Sequence, residues 1–451
     1  MPEFFSEGCV NGLYWYRQTA DMPTTHRRRF LRQSTLAAAS FFIVPRHVLG
    51  RGFTAPSDLF GLGFIGTGKQ ARGLLNQFKK QPVRILTGAD VDSRKLALFQ
   101  SLAEKAYREA SGTEPAGGFK ARADFREVLA DTSVDGVVIA MPDHWHAWAA
   151  VRAAEAGKHI YLEKPLTRTI AEGRAVVKAV DKHDVVLQTG SMQRSWKNFR
   201  TACELVRNGY IGDVKEVFVN VGDPAIACDL GNEPQPSTLD WEGWVGPAAF
   251  HPFHAELSPP VEKDIFPNWR KYREYAGGIL SDWGAHMFDI AQWGLGMDDS
   301  GPVSLNPPSD PKALRGLEMT YANGVVMRHA EFEKGKGFGV RFIGTKGRID
   351  IARNYFDSDP ANIATATLQP GETRLYTSDD HYADWLNACK NGTKPICHAE
   401  VGHRSNSVCA LANIAYQLRR PLTWNPRKER FKGDREANSL LLPHYRGDWK
   451  L

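Results

Sequence analysis

The sequence predicts two folded parts in succession. The first is a doubly wound parallel α/β sheet, and the second is an α+β part built on a large, open, mostly antiparallel sheet with flanking helices. Three observations predict this. A glycine-rich turn joins the first apolar strand to the first helix, strands and helices then alternate to about residue 190, and from about residue 212 strands are separated by glycine turns. The expected boundaries are 1–57 for an N-terminal extension, 58–190 for the first part and 191–451 for the second.

Composition narrows the classes. Of 451 residues, 42% are hydrophobic and 24% charged, as in packed domains and unlike a disordered chain. No apolar run reaches the roughly 18 residues of a membrane span, so no integral membrane domain is expected. The net charge is +6, and residues 1–57 supply +4 of it through seven Arg against Glu3, Glu7 and Asp21. The remaining 394 residues therefore carry 6 − 4 = +2, too little for a phosphate-tracking surface, and nucleic acid is not an expected partner. The six cysteines form no CxxC pair, and Cys389, Cys397, His398, His403 and Cys409 match no zinc spacing, so no metal is expected.

In the extension, Arg27-Arg28-Arg29-Phe30-Leu31 precedes the mostly apolar stretch Ser34–Val44. A cationic stretch followed by a short apolar run is the layout of an export signal. The paired arginines resemble the twin-arginine type, which carries folded proteins to the periplasm, and Met22 offers a start that would give a short cationic lead.

Leu59–Ile65 reads as a buried strand running into Gly66-Thr67-Gly68-Lys69-Gln70-Ala71 and a helix over 72–80. This is a G-x-G-x-x-A fingerprint between strand and helix, where it denotes a dinucleotide site of the Rossmann kind. Gly66 permits the turn, Gly68 lets the backbone approach a pyrophosphate, and Ala71 lets helix and strand pack closely. The anion would rest on the helix N-terminus, with Thr67, Lys69 and Gln70 completing the loop. The strand over 84–89 ends in Asp90, placed to accept the ribose hydroxyls and repel a 2′-phosphate, which favours NAD over NADP; Arg94 nearby weakens that preference. Phe125–Leu129, His146–Ala156 and Ile170–His183 read as helices; Gly136–Ala140, His159–Leu162 and Val185–Gln188 read as strands.

The strand over 159–162 ends in Glu163-Lys164-Pro165, at the end of the sheet where open parallel sheets place ligands. With Gly63-Phe-Ile-Gly-Thr-Gly68, Pro142-Asp-His-Trp-His146, Gln188-Thr-Gly-Ser-Met-Gln-Arg194 and Gly277–Asp289, the chain resembles the family of glucose–fructose oxidoreductase, inositol dehydrogenase and rhizopine catabolism proteins. The resemblance runs from about residue 59 to the C-terminus, and the tail, with Glu400–Arg404 and Trp424-Asn-Pro426, looks like that of exported members. Two positions depart from the pattern: Ala71 closes the fingerprint in place of Gly, and Asn425 stands where an acid is expected. The resemblance implies that Lys164 lies between nicotinamide and substrate, that Glu163 lies by the nicotinamide ribose, and that Pro142, His146 and Gln193 line the cofactor cleft.

In the second part, Val214–Val221, Leu314–Tyr321, Gly324–Phe332 and Gly337–Ile343 read as strands. The family's open sheet is commonly an oligomer face, which implies a homo-oligomer, a dimer or tetramer. Asp282 and His286 fall four apart on a helix and share a face, so the carboxylate is expected to orient the imidazole and raise its pKa as a general base. The plain alternative makes Asp282 a helix cap and His286 a core residue; the family's Asp-x-x-x-His here favours the former. Asp289 is expected to cap or pair locally. Five of twelve Trp (Trp241, Trp244, Trp269, Trp283 and Trp293) fall within 241–293, as a sugar site would use them, and Arg194, Trp269, Arg270, Tyr272 and Arg273 are candidate substrate contacts.

The expected activity is hydride exchange between NAD and a hydroxyl of a sugar, polyol or glycoside. His286 would take the proton, Asp282 would steady His286, and Lys164 would stabilise oxygen charge. Two other classes stay open: a redox-assisted lyase or glycosidase that keeps its NAD, which export favours, and a non-catalytic NAD or sugar sensor.

Overall fold

A computed structural model of the protein describes residues 59–111 and 118–451. The twin-arginine motif, its apolar run and the rest of 1–57 lie outside the described residues.

The first sheet has six parallel strands: β1 (Phe60–Ile65), β2 (Val83–Ala89), β3 (Lys120–Arg122), β4 (Gly136–Ile139), β5 (His159–Leu162) and β6 (Leu187–Thr189), in the order β3-β2-β1-β4-β5-β6. Strand β4 is the uninterrupted apolar run Gly-Val-Val-Ile, and all four residues are buried, as a strand covered on both faces requires. The chain leaves β1 in one direction for β2 and β3, then returns beside β1 as β4 and continues outward through β5 and β6. That reversal opens a crevice at the carboxyl ends of β1 and β4. Helices Lys69–Phe78, Asp143–Glu155 and Ile170–Lys182 begin at this end of the sheet or beside it. The last is started by a capping box between Thr169 and Glu172.

The second sheet has nine strands: β7 (Val214–Asn220), β8 (Ser304–Asn306), β9 (Leu317–Thr320), β10 (Val326–His329), β11 (Gly339–Gly344), β12 (Arg348–Ile351), β13 (Phe356–Asp359), β14 (Leu422–Asn425) and β15 (Arg430–Phe431). Their order is β13-β12-β11-β7-β10-β9-β8-β14-β15, antiparallel throughout except where β10 runs parallel to β7. Alternation sorts its faces: Val217, Val219, Met327, Val340, Phe342 and Ile349 turn inward to the core, while Glu216, Phe218, Arg328 and Arg341 remain partly exposed on the other face. Each fully buried aromatic such as Phe342 contributes about 1.5–3 kcal/mol relative to exposure.

Helix Gly278–Leu295 joins the two parts. Its sequence is apolar nearly all round and most of it is buried, because it packs on β7 and β11 on one side and on helix Ala399–Leu418 on another. It starts at Gly277–Gly278, before Asp282, so Asp282 is not its cap. Among the described residues no helix is long and apolar enough to cross a membrane, and no group of three or more His, Cys, Asp or Glu is gathered as a metal would need.

Candidate functional site

A cleft of about 450 Å³ opens at the crevice and runs from the glycine loop to the start of helix Gly278–Leu295. Its nucleotide end is shaped by the backbone. Gly66 has φ 82°, and a Cβ there would lie 2.7 Å from the Ala140 carbonyl oxygen, so only glycine fits. Gly68 faces open space: a Cβ there would meet nothing within 4 Å. Helix Lys69–Phe78 begins at Gly68 with no side-chain cap, leaving first-turn N–H groups for an anion. Those features fit a dinucleotide diphosphate. Asp90 lines the cleft, and its Oδ2 accepts from the Thr67 N–H (2.7 Å) and the Thr67 hydroxyl (3.0 Å), fixing the loop. Thr67 itself is fully buried and turns both groups to Asp90, so it stiffens the loop rather than facing the cleft. Lys69 and Arg72 reach over the cleft to Asp264, whose carboxylate they hold below the usual range. Asp264 belongs to the segment 259–267, which lines the cleft opposite the glycine loop.

Toward the middle, Gln70 donates to Glu163 Oε1 at 2.9 Å, tying the loop to the end of β5. Glu163 is buried, and burial raises its carboxyl against the lowering influence of Lys164 and Gln70. A Cβ on Gly190 would come within 3.0 Å of Glu163, so glycine there makes room for the carboxylate. Pro142 caps helix Asp143–Glu155 and lines the cleft with His146. Both ring nitrogens of His146 face carbonyls, those of Pro165 (2.8 Å) and Met141 (2.9 Å). Burial lowers its pKa to about 4, so the ring is neutral and donates to one of them at a time.

At the inner end, Lys164 Nζ donates to Asp282 Oδ1 at 2.7 Å and to the Asp282 carbonyl at 2.9 Å. An ammonium has three N–H donors, so one remains for the cleft. Arg270 Nε lies 3.5 Å from the same Oδ1. Burial alone would raise the Asp282 carboxyl, but Lys164 and Arg270 outweigh it and hold the group below the usual range. His286 lines the cleft one turn along the helix. Its Nδ1 is buried without a partner among the described residues, which leaves Nε2 as the nitrogen available to a bound molecule.

The structure thus gathers Lys164, Asp282 and His286 from segments over 100 residues apart, but it corrects how they are paired. Asp282 does not bond His286; its carboxylate is taken by Lys164 and Arg270. Nor is the imidazole pKa raised: burial, then the charges of Lys164 and Arg353, push it well below the usual value. Arg194 is a second correction. It is fully buried and bound bidentately to Asp289 (2.8 and 3.0 Å) and to Asp298 (2.7 Å), so it contacts no substrate and Asp289 pairs across the chain rather than locally. Tyr272 is buried with its hydroxyl on Glu256 (2.8 Å), away from the cleft lining. Gln193 is fully buried behind the cleft and accepts from Arg353 Nε at 3.0 Å. Of the tryptophans, Trp244, Trp269 and Trp283 line the cleft, whereas Trp241 and Trp293 belong to the core.

Sequence reasoning missed three groups. Asp143 lines the cleft, and burial raises its carboxyl well above the usual range despite Arg270 and Lys164. Its one signal was its place inside Pro142–His146. Lys95 lines the nucleotide end, bonded to Ser258 (2.7 Å). Arg353, after β12, carried no motif.

Residues 60–191 match the description "oxidoreductase family, NAD-binding Rossmann fold", and residues 217–451 match "oxidoreductase family, C-terminal alpha/beta domain". The myo-inositol 2-dehydrogenase of Thermotoga maritima is 27% identical over 206 residues, 46% of this chain and 49% of that protein. The 1,5-anhydro-D-fructose reductase of Ensifer adhaerens is 25% identical over 283 residues, 61% of this chain and 73% of that protein. The chain spans about half the length of the first curated relatives it matches (57%, 49% and 57%). Among solved structures, the WlbA dehydrogenase of Bordetella pertussis, crystallised with NADH and UDP-GlcNAcA, aligns over 81% of this chain and 98% of its own with TM-score 0.57 and 17% identity. The aldose-aldose oxidoreductase of Caulobacter crescentus aligns over 81% and 99% with TM-score 0.55 and 21% identity, which likewise shows the shared fold.

Proposed function

The chain belongs to the Gfo/Idh/MocA oxidoreductase family, carrying its NAD-binding Rossmann fold and its C-terminal α/β domain, and from that membership we propose that it oxidises or reduces a hydroxyl-bearing carbon of a sugar, polyol or glycoside. The observation that carries this is the meeting of Lys164, Asp282 and His286 at the inner end of the cleft whose outer end is the glycine loop. NAD, when bound there, accepts or returns the hydride. Gly66, Gly68 and Gln70 would hold its diphosphate side, Asp90 its adenosine ribose, and Pro142, His146 and Glu163 its nicotinamide side.

The protein's own groups move and stabilise the proton. His286, kept neutral by burial, takes the proton of the substrate hydroxyl at Nε2. Lys164 gives its remaining N–H to the same oxygen as negative charge grows there, and Asp282 aims that ammonium. A sugar or polyol is the substrate class of the inositol and anhydro-sugar relatives, and Trp283, partly exposed on the cleft lining, stands beside the reacting groups. The test is to supply NAD and a sugar and polyol panel to purified protein and follow NADH. Lys164→Ala and His286→Ala proteins that bind NAD and keep full turnover would defeat the reading.

One observation favours a second reading, glycosidic cleavage with retained NAD. Segment 259–267 is clasped to the glycine loop through Asp264, Lys69 and Arg72, which would slow cofactor exchange. Cleavage of an aryl glycoside without net NADH would establish it. Export to the periplasm by the twin-arginine route belongs to the same proposal and is supported by Arg27–Leu31. So does a homo-oligomer, supported by the partly exposed face of the second sheet around Phe218 and Ile343.

A further inference from the structure

We infer that the inner end of the cleft is built for a sugar bearing a single carboxylate, and that the guanidinium of Arg353 receives it. The inference deepens the hydride-transfer reading of this cleft and rests on it.

Three cations line that end: Lys164, Arg270 and Arg353. Two are already engaged by one carboxylate, since Lys164 lies 2.7 Å and Arg270 3.5 Å from Asp282 Oδ1. Arg353 has no carboxylate partner among the described residues. Its one bond is from Nε to Gln193 Oε1 at 3.0 Å. Gln193 is fully buried, and its own amide nitrogen rests 3.7 Å from Met287 Sδ, so it is a fixed anchor. The guanidinium also lies 4.5 Å from the ring centre of Trp283 and 5.6 Å from that of Trp196. Two aromatic faces and one buried amide therefore set both the plane and the direction of the group, and neither terminal amine is bonded to any of the described residues.

Arginines that serve the fold in this molecule look different. Arg194, Arg341 and Arg420 all direct their terminal amines to carboxylates. Arg353 is held at Nε, but it is an exposed residue of the cleft lining whose fork meets no carboxylate among the described residues. A guanidinium fork matches the two oxygens of a carboxylate with parallel N–H bonds, a geometry that an ammonium lacks. The planar fork matches a planar carboxylate, and a phosphorylated sugar, which the excess of cations over the Asp282 carboxylate would also attract, is therefore part of the test. Arg353 lies close enough to His286 for its charge to be felt there, so the acid group would sit near the reacting carbon.

The test compares acids with their neutral and phosphorylated parents: D-glucuronate, D-galacturonate and D-gluconate against D-glucose, D-galactose, D-glucitol and D-glucose 6-phosphate. NAD-dependent kcat/KM is measured for the wild type, R353Q and R353K. At least one acid is expected to exceed its neutral parent by about 30-fold, and R353Q to erase that preference through KM, by about 30-fold on the acid with the parent little changed. R353K, with charge but no fork, should recover only part of it. Retained NADH binding and melting temperature in R353Q show that the fold is intact. Preference for a neutral or phosphorylated sugar, or an equal loss by R353Q on acid and parent, overturns the inference and leaves hydride transfer standing. NAD binding without turnover of any sugar would overturn hydride transfer, and this inference with it.

Discussion

Helix Gly278–Leu295 carries two aspartates seven residues apart, and each meets a cation from a distant stretch of chain. Asp282 meets Lys164 at 2.7 Å where the two side chains are 16% and 15% exposed; Asp289 meets Arg194 at 2.8 Å where both are 1% exposed. The sealed pair is bidentate and reinforced by Asp298 and by the Ser405 hydroxyl on Asp289 (2.6 Å), so every strong donor is consumed inside the protein. The open pair uses a lysine, which spends two donors on Asp282 and keeps one. Burial and the choice of cation thus separate a pair that spends every donor inside the fold from a pair that leaves one ammonium N–H to the cleft.

The largest effects should fall on opposite properties. Lys164→Ala is expected to lower kcat about 1,000-fold with the melting temperature nearly unchanged. Arg194→Ala leaves two carboxylates without their cation and should cost about 3–5 kcal/mol of stability, read from urea denaturation. The comparison breaks if Lys164→Ala unfolds the protein or Arg194→Ala melts like the wild type. The aspartates should divide in the same way, less steeply. Asp282→Asn is expected to lower kcat about 100-fold, and Asp289→Asn to cost about 2–3 kcal/mol with kcat retained in the folded fraction.

The pH profile sharpens the distinction further. His286 has its pKa pushed well below the usual value by burial, then by Lys164 and Arg353. A depressed imidazole pKa keeps the neutral, proton-accepting form as pH falls through about 6.5. Asp282, also held low, stays charged over the same range. The acid limb of kcat/KM is therefore expected below the ordinary histidine range. Removing one of the depressing charges in Arg353→Gln should move that limb to higher pH. A limb near pH 6.5 that does not move in the variant would show that His286 is not the group being titrated.

What the sequence made legible follows from where each signal lives. Strands β1, β4 and β5 announced themselves as near-continuous apolar runs ending in motif residues, because both of their faces are buried. Strand β3, Lys-Ala-Arg at the sheet edge, has no apolar pattern to read and went unassigned. Helix Ala399–Leu418 was also hidden, since its buried face includes His403, Ser405, Asn406 and Ser407, satisfied by partners such as Asp289 and Thr167 that only the fold supplies. At the site, spacing placed Asp282 and His286 on one helix but not in one hydrogen bond. A pairing at four residues is a local possibility, and Lys164, 118 residues away, is the stronger competitor for the carboxylate. Arg194 and Arg353 were exchanged for the same reason: one guanidinium is sealed by acids and the other left open, and nothing local distinguishes them.

The smallest expected effect concerns the clasp at the other end of the cleft. Asp264 is exposed and carries the contacts of both Lys69 and Arg72, the cations nearest the uncapped start of helix Lys69–Phe78. It lies in the left-handed region (φ 45°), at the turn that brings segment 259–267 over the glycine loop. Exposed ion pairs contribute little each, so Asp264→Ala should speed NADH release only about two- to fivefold in stopped-flow fluorescence. Raised salt should produce a similar acceleration in the wild type and little in the variant, because the same contacts are being screened. Unchanged release in both would mean that the segment shields the cleft by its apolar residues Ile265 and Phe266 rather than by charge, and retention of NAD would then have to be sought in the depth of the nicotinamide end instead.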